Sequence, residues 1–181
     1  TSIETPFAGT QATGAETIEQ TLKALSEHPD VAAIVIRINS PGGSASGSEV
    51  IHRAIAKAAE KKPLVASLGD IAASGGYYAA VAAPEIFADP LTLTGSIGVF
   101  AGKFHITNLL SWLGISRFTL KRGQFADLYG PDSAWDEAAL ARAQESIEFF
   151  YETFVDRVAA GRDITPSEVR KVGEGHIWIG T

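Results

Sequence analysis

The sequence predicts an α/β fold in which a mostly parallel sheet is flanked by helices, and three features indicate it. Two apolar runs rich in β-branched residues, Val31–Ile38 and Pro63–Leu68, have the composition of strands buried on both faces. Each run is followed by a glycine-containing turn and then by apolar residues at helical spacing. Because strand and helix alternate along the chain, a parallel sheet with right-handed crossovers is favoured.

Apolar spacing places the remaining elements in order. Residues Thr1–Gly14 are rich in Thr, Gly and Ala and are predicted to form a loop. Helical spacing begins at Glu16 and recurs in later segments. Further predicted elements are a helix after Gly43, a loop at Gly69–Ala73, a helix at Gly75–Ala83, strands at Ile86–Ala88, Ser96–Ala101 and Arg117–Leu120, and helices at Thr107–Leu113, at Asp136–Ala160 and after Thr165. We expect residues 1–181 to form a single domain.

Composition and charge exclude several classes of function. With 45% hydrophobic and 20% charged residues, the chain has the composition of a globular protein. Its net charge of −6 argues against a nucleic-acid-binding surface. The absence of cysteine excludes disulfides, thiolate catalysis and Cys-ligated zinc, and neither a metal nor a cofactor is expected. No apolar run is long enough for a membrane span. Since the chain lacks methionine, even at residue 1, we expect it to be a fragment or a processed product.

The first candidate functional segment is the turn Ser40–Gly43, which contains a proline and two glycines. Paired glycines let backbone N–H groups point into a cleft, where they can form an oxyanion hole. An ordinary turn is the alternative interpretation. A phosphate cradle is less favoured, because neither a P-loop nor a GxGxxG motif is present.

The second candidate segment is Asp70–Gly76, in which Ser74 opens a helix and two glycines follow it. Ser74 is either a helix N-cap or a side chain exposed at the carboxyl end of a strand, where open α/β folds bind ligands. A helix N-terminus also favours developing negative charge. The N–H of Gly75 would then join that of Gly43 in one oxyanion site, but local spacing leaves both interpretations open.

Five motifs together resemble the signal peptide peptidase A (protease IV) family of serine/lysine peptidases. The motifs are Ser40–Gly43, Ala72–Tyr77, Leu93–Gly98, Phe154–Arg162 and Gly175–Gly180. The resemblance implies a ClpP/crotonase-like fold, Ser74 as the nucleophile, and the amides of Gly43 and Gly75 as oxyanion donors. It also implies a lysine general base, whose pKa must be depressed so that it is neutral when it takes the proton. His28, His52, His105 and His176 are then surface or structural residues.

The chain departs from the family at the general base. Members with both catalytic residues in one domain carry a lysine after a Gly-x-aromatic segment, and here that position is Ala126, within Gly123–Asp127. In the long form of the family the C-terminal half supplies the serine and the N-terminal half the lysine. Residues 1–181 therefore resemble the single peptidase domain of the C-terminal half. Lys103 and Lys121 are interpreted as solvated surface charges rather than substitutes.

The family implies the remaining expectations about partners and location. These are cleaved signal peptides and other hydrophobic peptides as substrates, the N-terminal half of the same protein as the source of lysine, and a homo-oligomer. They also include membrane association through a segment outside this chain, in the bacterial cell envelope, with the active site on the extracytoplasmic side. Five apolar side chains could line a specificity pocket, or could belong to the core or to an oligomer interface. They are Phe100, Phe104, Leu109, Leu110 and Trp112.

Two other functions remain open from the sequence. One is a non-catalytic assembly half of the same enzyme, which the presence of Ser74 without the expected lysine permits. The other is a crotonase-type acyl-CoA enzyme, in which Asp70 or Glu49 would be the acidic catalyst. Fold-level analogy by itself gives no weight to the second.

Overall fold

The computed structural model describes residues 13–180, and contacts within it divide the chain into two compact units. The first unit contains the described residues of Thr1–Val99 and Tyr151–Thr181, and the second is Phe100–Phe150. The predicted loop at Thr1–Gly14 lies outside the described residues up to residue 12. The elements are α1 (Ala15–Glu27), β1 (Ile34–Ser40), α2 (Ala45–Ala59), β2 (Leu64–Ala73), α3 (Gly75–Ala80), β3 (Glu85–Phe87), β4 (Leu93–Gly95), α4 (Thr107–Trp112), α5 (Glu137–Arg162), α6 (Pro166–Val172) and β5 (Ile177–Ile179).

The five strands form one mixed sheet in the order β1-β2-β4-β5, with β3 also paired to β2. β2 is parallel to β1, β3 and β4, whereas β4 and β5 are antiparallel. The predicted α/β fold with a mostly parallel sheet is therefore confirmed. Because β2 is central, the residue that follows it lies at the carboxyl edge of the sheet, where such folds place their ligands.

One face of the sheet is covered by α1 and α2, which contribute Leu22, Ile51 and Ile55 to a buried core with Ile34 and Leu64. The prediction that β1 is buried on both faces is wrong. Val35 points away from this core and is 69% exposed, because successive side chains of a strand face opposite sides.

The predicted loop at Gly69–Ala73 is instead the continuation of β2. The pairing of β1 with β2 shifts between Ile38 and Ser40, which pair with Leu68 and Ala72. Asn39 fills this irregularity: its side-chain oxygen accepts a hydrogen bond from the Ile71 amide at 3.2 Å. A side-chain acceptor thus replaces a missing backbone partner, and the strand can continue past the glycine.

The strands predicted at Ser96–Ala101 and Arg117–Leu120 do not form. β4 ends earlier, at Gly95, because Ser96, which follows it, has a φ of +50°, which extended backbone does not allow. In the second unit, Arg117 and Thr119 bind the side chain of Asp132 instead of a neighbouring strand.

The C-terminal part of α5 packs against α3 and α6. Phe154, Val155 and Val158 of α5 are buried with Tyr78 and Val169. The apolar spacing of this helix predicts that Leu140, near its start, is buried, but that side chain is 54% exposed. The capped helix start after Thr165 is confirmed, because Thr165 and Glu168 form a reciprocal capping box.

Candidate active site

Ser74 lies at a sharp turn between the end of β2 and the start of α3. Its backbone has φ 49° and ψ −121°, a strained region for a residue that is not glycine. Its side chain makes no capping hydrogen bond to α3, so the N-cap interpretation has no support. A strained strand-to-helix turn of this kind is how α/β enzymes hold a nucleophilic hydroxyl at the edge of a sheet.

The backbone of Ser74 is fixed on both sides. Its amide donates to the Gly95 carbonyl at 2.9 Å, and its carbonyl accepts from the Tyr78 amide at 2.8 Å. Strained backbone persists only where surrounding contacts determine it. Sequence analysis missed this function of Gly95 and Tyr78. The Leu93–Gly98 motif contains Gly95 and is the feature of the sequence that could have indicated this role.

The first glycine turn connects β1 to α2. Ser44 is the N-cap of α2 and its side chain accepts from the Gly47 amide, while the Ser40 hydroxyl accepts from the Gly42 amide at 3.2 Å. Gly42 has a φ of +113°, which only glycine adopts readily. The turn therefore requires glycine at this position.

The structure brings the two glycine turns into contact. A Cβ added to Gly42 would lie 2.8 Å from the Ser74 Cβ and 2.9 Å from the Gly75 nitrogen. A Cβ added to Gly75 would lie 3.1 Å from the Gly43 nitrogen. Ser74 and the amides of Gly43 and Gly75 thus meet at one place, which is the arrangement that an oxyanion site needs.

No lysine of the described residues is buried. Lys121 makes an ion pair with Asp127 at 2.9 Å, and this partner holds the pKa of Asp127 below its ordinary value. Lys103 lies 5.8 Å from the centre of the Trp135 ring. Ala126, at the position where the family carries its lysine, is exposed. The described residues thus contain no lysine whose burial would keep its amine neutral.

The two acidic candidates for acyl-CoA chemistry are placed differently. Asp70 is exposed. Glu49 binds Arg157 through both carboxylate oxygens, at 2.6 and 3.2 Å, and accepts from the Tyr78 hydroxyl at 2.5 Å. Burial opposes ionisation of Glu49, but these hydrogen bonds outweigh it and hold its pKa below the ordinary value. Arg53 also forms an ion pair with Glu49 at 3.5 Å. A carboxylate committed to three partners is a poor proton acceptor.

Three of the four histidines have structural contacts, because the buried ring of His52 also packs edge-on against Tyr78. His28 accepts from the Asp30 amide through its Nδ1, and His176 contacts the Gly173 carbonyl. His105 is exposed, whereas His52 is buried. Within residues 13–180, no group of histidine and acidic side chains is arranged to hold a metal ion.

The apolar residues predicted as pocket, core or interface belong to the second unit. Phe100, Phe104 and Trp112 are 97%, 91% and 80% exposed. Leu109 is also exposed, and Leu110 is half-buried. The core interpretation is therefore wrong for the four exposed side chains, since in the described residues nothing covers them.

Comparison with solved structures supports the fold. The chain is similar to a point mutant of ClpP1 from Listeria monocytogenes, with a TM-score of 0.58 over 92% of this chain and 75% of that one. The two sequences are 16% identical, so the likeness concerns the fold alone. The predicted ClpP/crotonase-like fold is thus confirmed.

Comparison of sequences identifies the family. The chain is 38% identical over 169 residues to "Serine protease SPPA, chloroplastic" of Arabidopsis thaliana, and 40% identical over 168 residues to "Protease 4" of Salmonella typhi. These matches cover 92% of this chain but only 25% and 27% of those proteins. The profile of Peptidase family S49 matches residues 56–181. The chain belongs to Peptidase family S49, and the resemblance to signal peptide peptidase A is confirmed.

Proposed function

We propose that this chain is the nucleophile-bearing half of a serine peptidase, with Ser74 as the nucleophile. The observation that carries the proposal is the strained backbone of Ser74, at the carboxyl end of β2, in contact with the Gly42–Gly43 turn. Strained residues of this kind cluster at active sites and ligand clamps. Membership of the peptidase family and the similarity to proteins named as proteases support the choice of reaction.

In the proposed reaction the Ser74 hydroxyl oxygen attacks the carbonyl carbon of a peptide bond, and its proton passes to a neutral lysine amine. The carbonyl oxygen becomes an oxyanion, which the amides of Gly43 and Gly75 stabilise. The C–N bond then breaks, and the leaving amine takes the proton back from the lysine. Water, deprotonated by the same lysine, hydrolyses the acyl-enzyme and releases Ser74.

We propose that the lysine comes from outside this chain. Two observations support this: Ala126 occupies the family's lysine position, and no lysine of the described residues is buried. The N-terminal half of the same protein is the proposed source. The chain spans about a quarter of the length of the two relatives described above, which leaves room for such a half.

The proposed substrates are cleaved signal peptides and other hydrophobic peptides, processed by a homo-oligomer in the bacterial cell envelope. The exposed apolar side chains of the second unit support an apolar substrate or an interface between copies. In the described residues no helix has the length and apolarity to cross a membrane. We propose a tether to the cytoplasmic membrane through a segment outside this chain, with the active site on the extracytoplasmic side.

The test uses the full-length protein that contains this chain. We expect a fluorophosphonate probe to add one label, located by mass spectrometry at Ser74, and peptide hydrolysis to fall by at least about 10³-fold in Ser74→Ala. Ser67→Ala is the matched control, because Ser67 is a half-buried serine within β2, seven positions before Ser74. Hydrolysis by folded Ser74→Ala at the wild-type rate would exclude Ser74 as the nucleophile.

A further inference from the structure

A partly buried polar cluster connects the two helices that begin at the candidate site. It consists of Glu49 on α2, Tyr78 on α3 and Arg157 on α5. The Tyr78 hydroxyl donates to Glu49 at 2.5 Å, and Arg157 donates to both oxygens of the same carboxylate. One carboxylate thus holds three helices together.

Tyr78 is also bonded directly to the backbone of Ser74. Its amide donates to the Ser74 carbonyl at 2.8 Å, which closes the first turn of α3. Tyr78 is 6% exposed, and its ring packs between His52 and Phe154, at centroid distances of 5.4 and 4.8 Å. The position of this ring therefore determines where the first turn of α3, and with it Ser74, is held.

α3 needs such an anchor because it is weak as an isolated helix. It has six residues, and the first two are glycines. Helices this short are not stable alone, and glycine is a poor helix former. Tertiary contacts must therefore fix its position, and the Tyr78–Glu49 bond is a polar contact from α3 to α2 that does so.

The Tyr78–Glu49 hydrogen bond also helps to position the Gly42–Gly43 turn, because that turn leads directly into α2. Glu49 lies at the fifth position of α2, whose N-cap, Ser44, directly follows Gly43. Ser48, next to Glu49, is buried. Its hydroxyl oxygen lies only 2.3 Å from the position that a Cβ of Gly75 would take. The Gly42–Gly43 turn and the Ser74–Gly75 turn are thus so closely packed that neither leaves space for an added side chain. A shift of α3 relative to α2 would separate the Gly43 and Gly75 amides.

We infer that Tyr78, held by Glu49 and Arg157, is a positioning residue that aligns Ser74 and the two amides for attack on the substrate. The inference rests on the proposed function of Ser74. The electrostatics of the cluster favour a persistent hydrogen bond between Tyr78 and Glu49. Burial and this hydrogen bond raise the pKa of Tyr78, so the phenol keeps the proton that it donates. Arg157 keeps Glu49 ionised as the acceptor.

The experiment compares three variants of the full-length protein with wild type. Tyr78→Phe removes only the hydroxyl and keeps the ring packing. Glu49→Ala removes the acceptor, and Glu49→Gln restores an oxygen that can accept from Tyr78. The matched control is Glu152→Ala, which breaks an exposed ion pair with Arg170 and leaves the cluster intact.

We expect Tyr78→Phe to slow fluorophosphonate labelling of Ser74 and kcat for peptide hydrolysis roughly 10-fold or more, because small misplacements of reacting groups cost up to about 10²-fold. KM should change much less, since substrate binding is not the affected step. Glu49→Gln should recover part of the rate lost in Glu49→Ala. Glu152→Ala should label at the wild-type rate. Hydrogen exchange should rise in the segment 74–80 of Tyr78→Phe and stay unchanged in α1.

Each outcome separates the inference from the proposed function. Equal labelling rates in wild type and folded Tyr78→Phe, with unchanged exchange in the segment 74–80, would overturn the inference and leave the proposed function standing. A loss of rate that is explained by the unfolded fraction alone would also overturn it. A wild-type protein without Ser74-dependent labelling would overturn the proposed function, and the catalytic part of this inference with it.

Discussion

Replacing Gly42 by alanine tests the close packing of the two turns most directly. The new Cβ would lie 2.8 Å from the Ser74 Cβ and 2.9 Å from the Gly75 nitrogen. Favourable contacts between carbon atoms begin near 3.5 Å, so Ser74 or Gly75 must move by roughly 0.7 Å. Neither contact is with the end of a flexible side chain, and the displacement therefore falls on the nucleophile and on an oxyanion donor.

The expected effects on stability and on rate have different sizes. Strain at a φ of +113° costs about 1–3 kcal/mol of unfolding free energy for a residue other than glycine. Loss of one oxyanion donor lowers kcat by about 10²–10³-fold. We therefore expect Gly42→Ala to remain folded in the full-length protein but to react with a fluorophosphonate at least about 10²-fold more slowly than wild type.

The assay measures the labelling rate by intact mass and stability by thermal unfolding. Gly114→Ala is the matched control. Gly114 also has a positive φ, +70°, but a Cβ there meets no heavy atom within 4 Å. It should lose stability and keep the wild-type labelling rate. If folded Gly42→Ala also labels at the wild-type rate, the packing of Gly42 against Ser74 does not control reactivity, and the reasoning is refuted.

Two further predictions concern stability. Ser74→Gly should raise the free energy of unfolding by about 1 kcal/mol relative to Ser74→Ala, because glycine relieves the strain at φ 49° that alanine retains; equal urea-unfolding midpoints for the two variants would contradict this. Burial, and then the positive charge of Arg157, lower the pKa of His52 from 6.5 to about 4. The folded protein therefore binds fewer protons than the unfolded chain between these values, so stability present above pH 6.5 is lost as the pH falls towards 4, by up to about 3 kcal/mol. Unfolding free energies at pH 7 and pH 4.5 measure this loss, which should be smaller in His52→Gln; the same loss in both proteins would show that His52 is not its source.

Local pattern determined the type and order of most elements. The apolar run before Ser40 and the helical spacing after Ser44 predict β1 and α2, and both form. The motif around Ser74 also identified the nucleophile candidate and its glycine neighbours before any coordinates, and the structure brings them into contact. Such features depend on residues close together in the chain, which a single sequence displays directly.

Tertiary structure decided what local pattern could not. The extension of β2 through Gly69 depends on Asn39, thirty positions earlier, and the end of β4 depends on a positive φ value that no periodicity reports. The exposed aromatic residues of the second unit have the composition of a core, so only their surroundings separate core from surface.

Ser74 shows most clearly which properties the sequence determined and which only the tertiary structure decided. Sequence alone left it as either a helix cap or a nucleophile, because both interpretations need a serine before two glycines. Only the fold supplies the strained φ and ψ, the carbonyl of Gly95 from another strand, and the Glu49–Tyr78–Arg157 cluster from three helices. These contacts join residues up to 108 positions apart. Their energies depend on distances in space, which the order of residues along the chain does not contain.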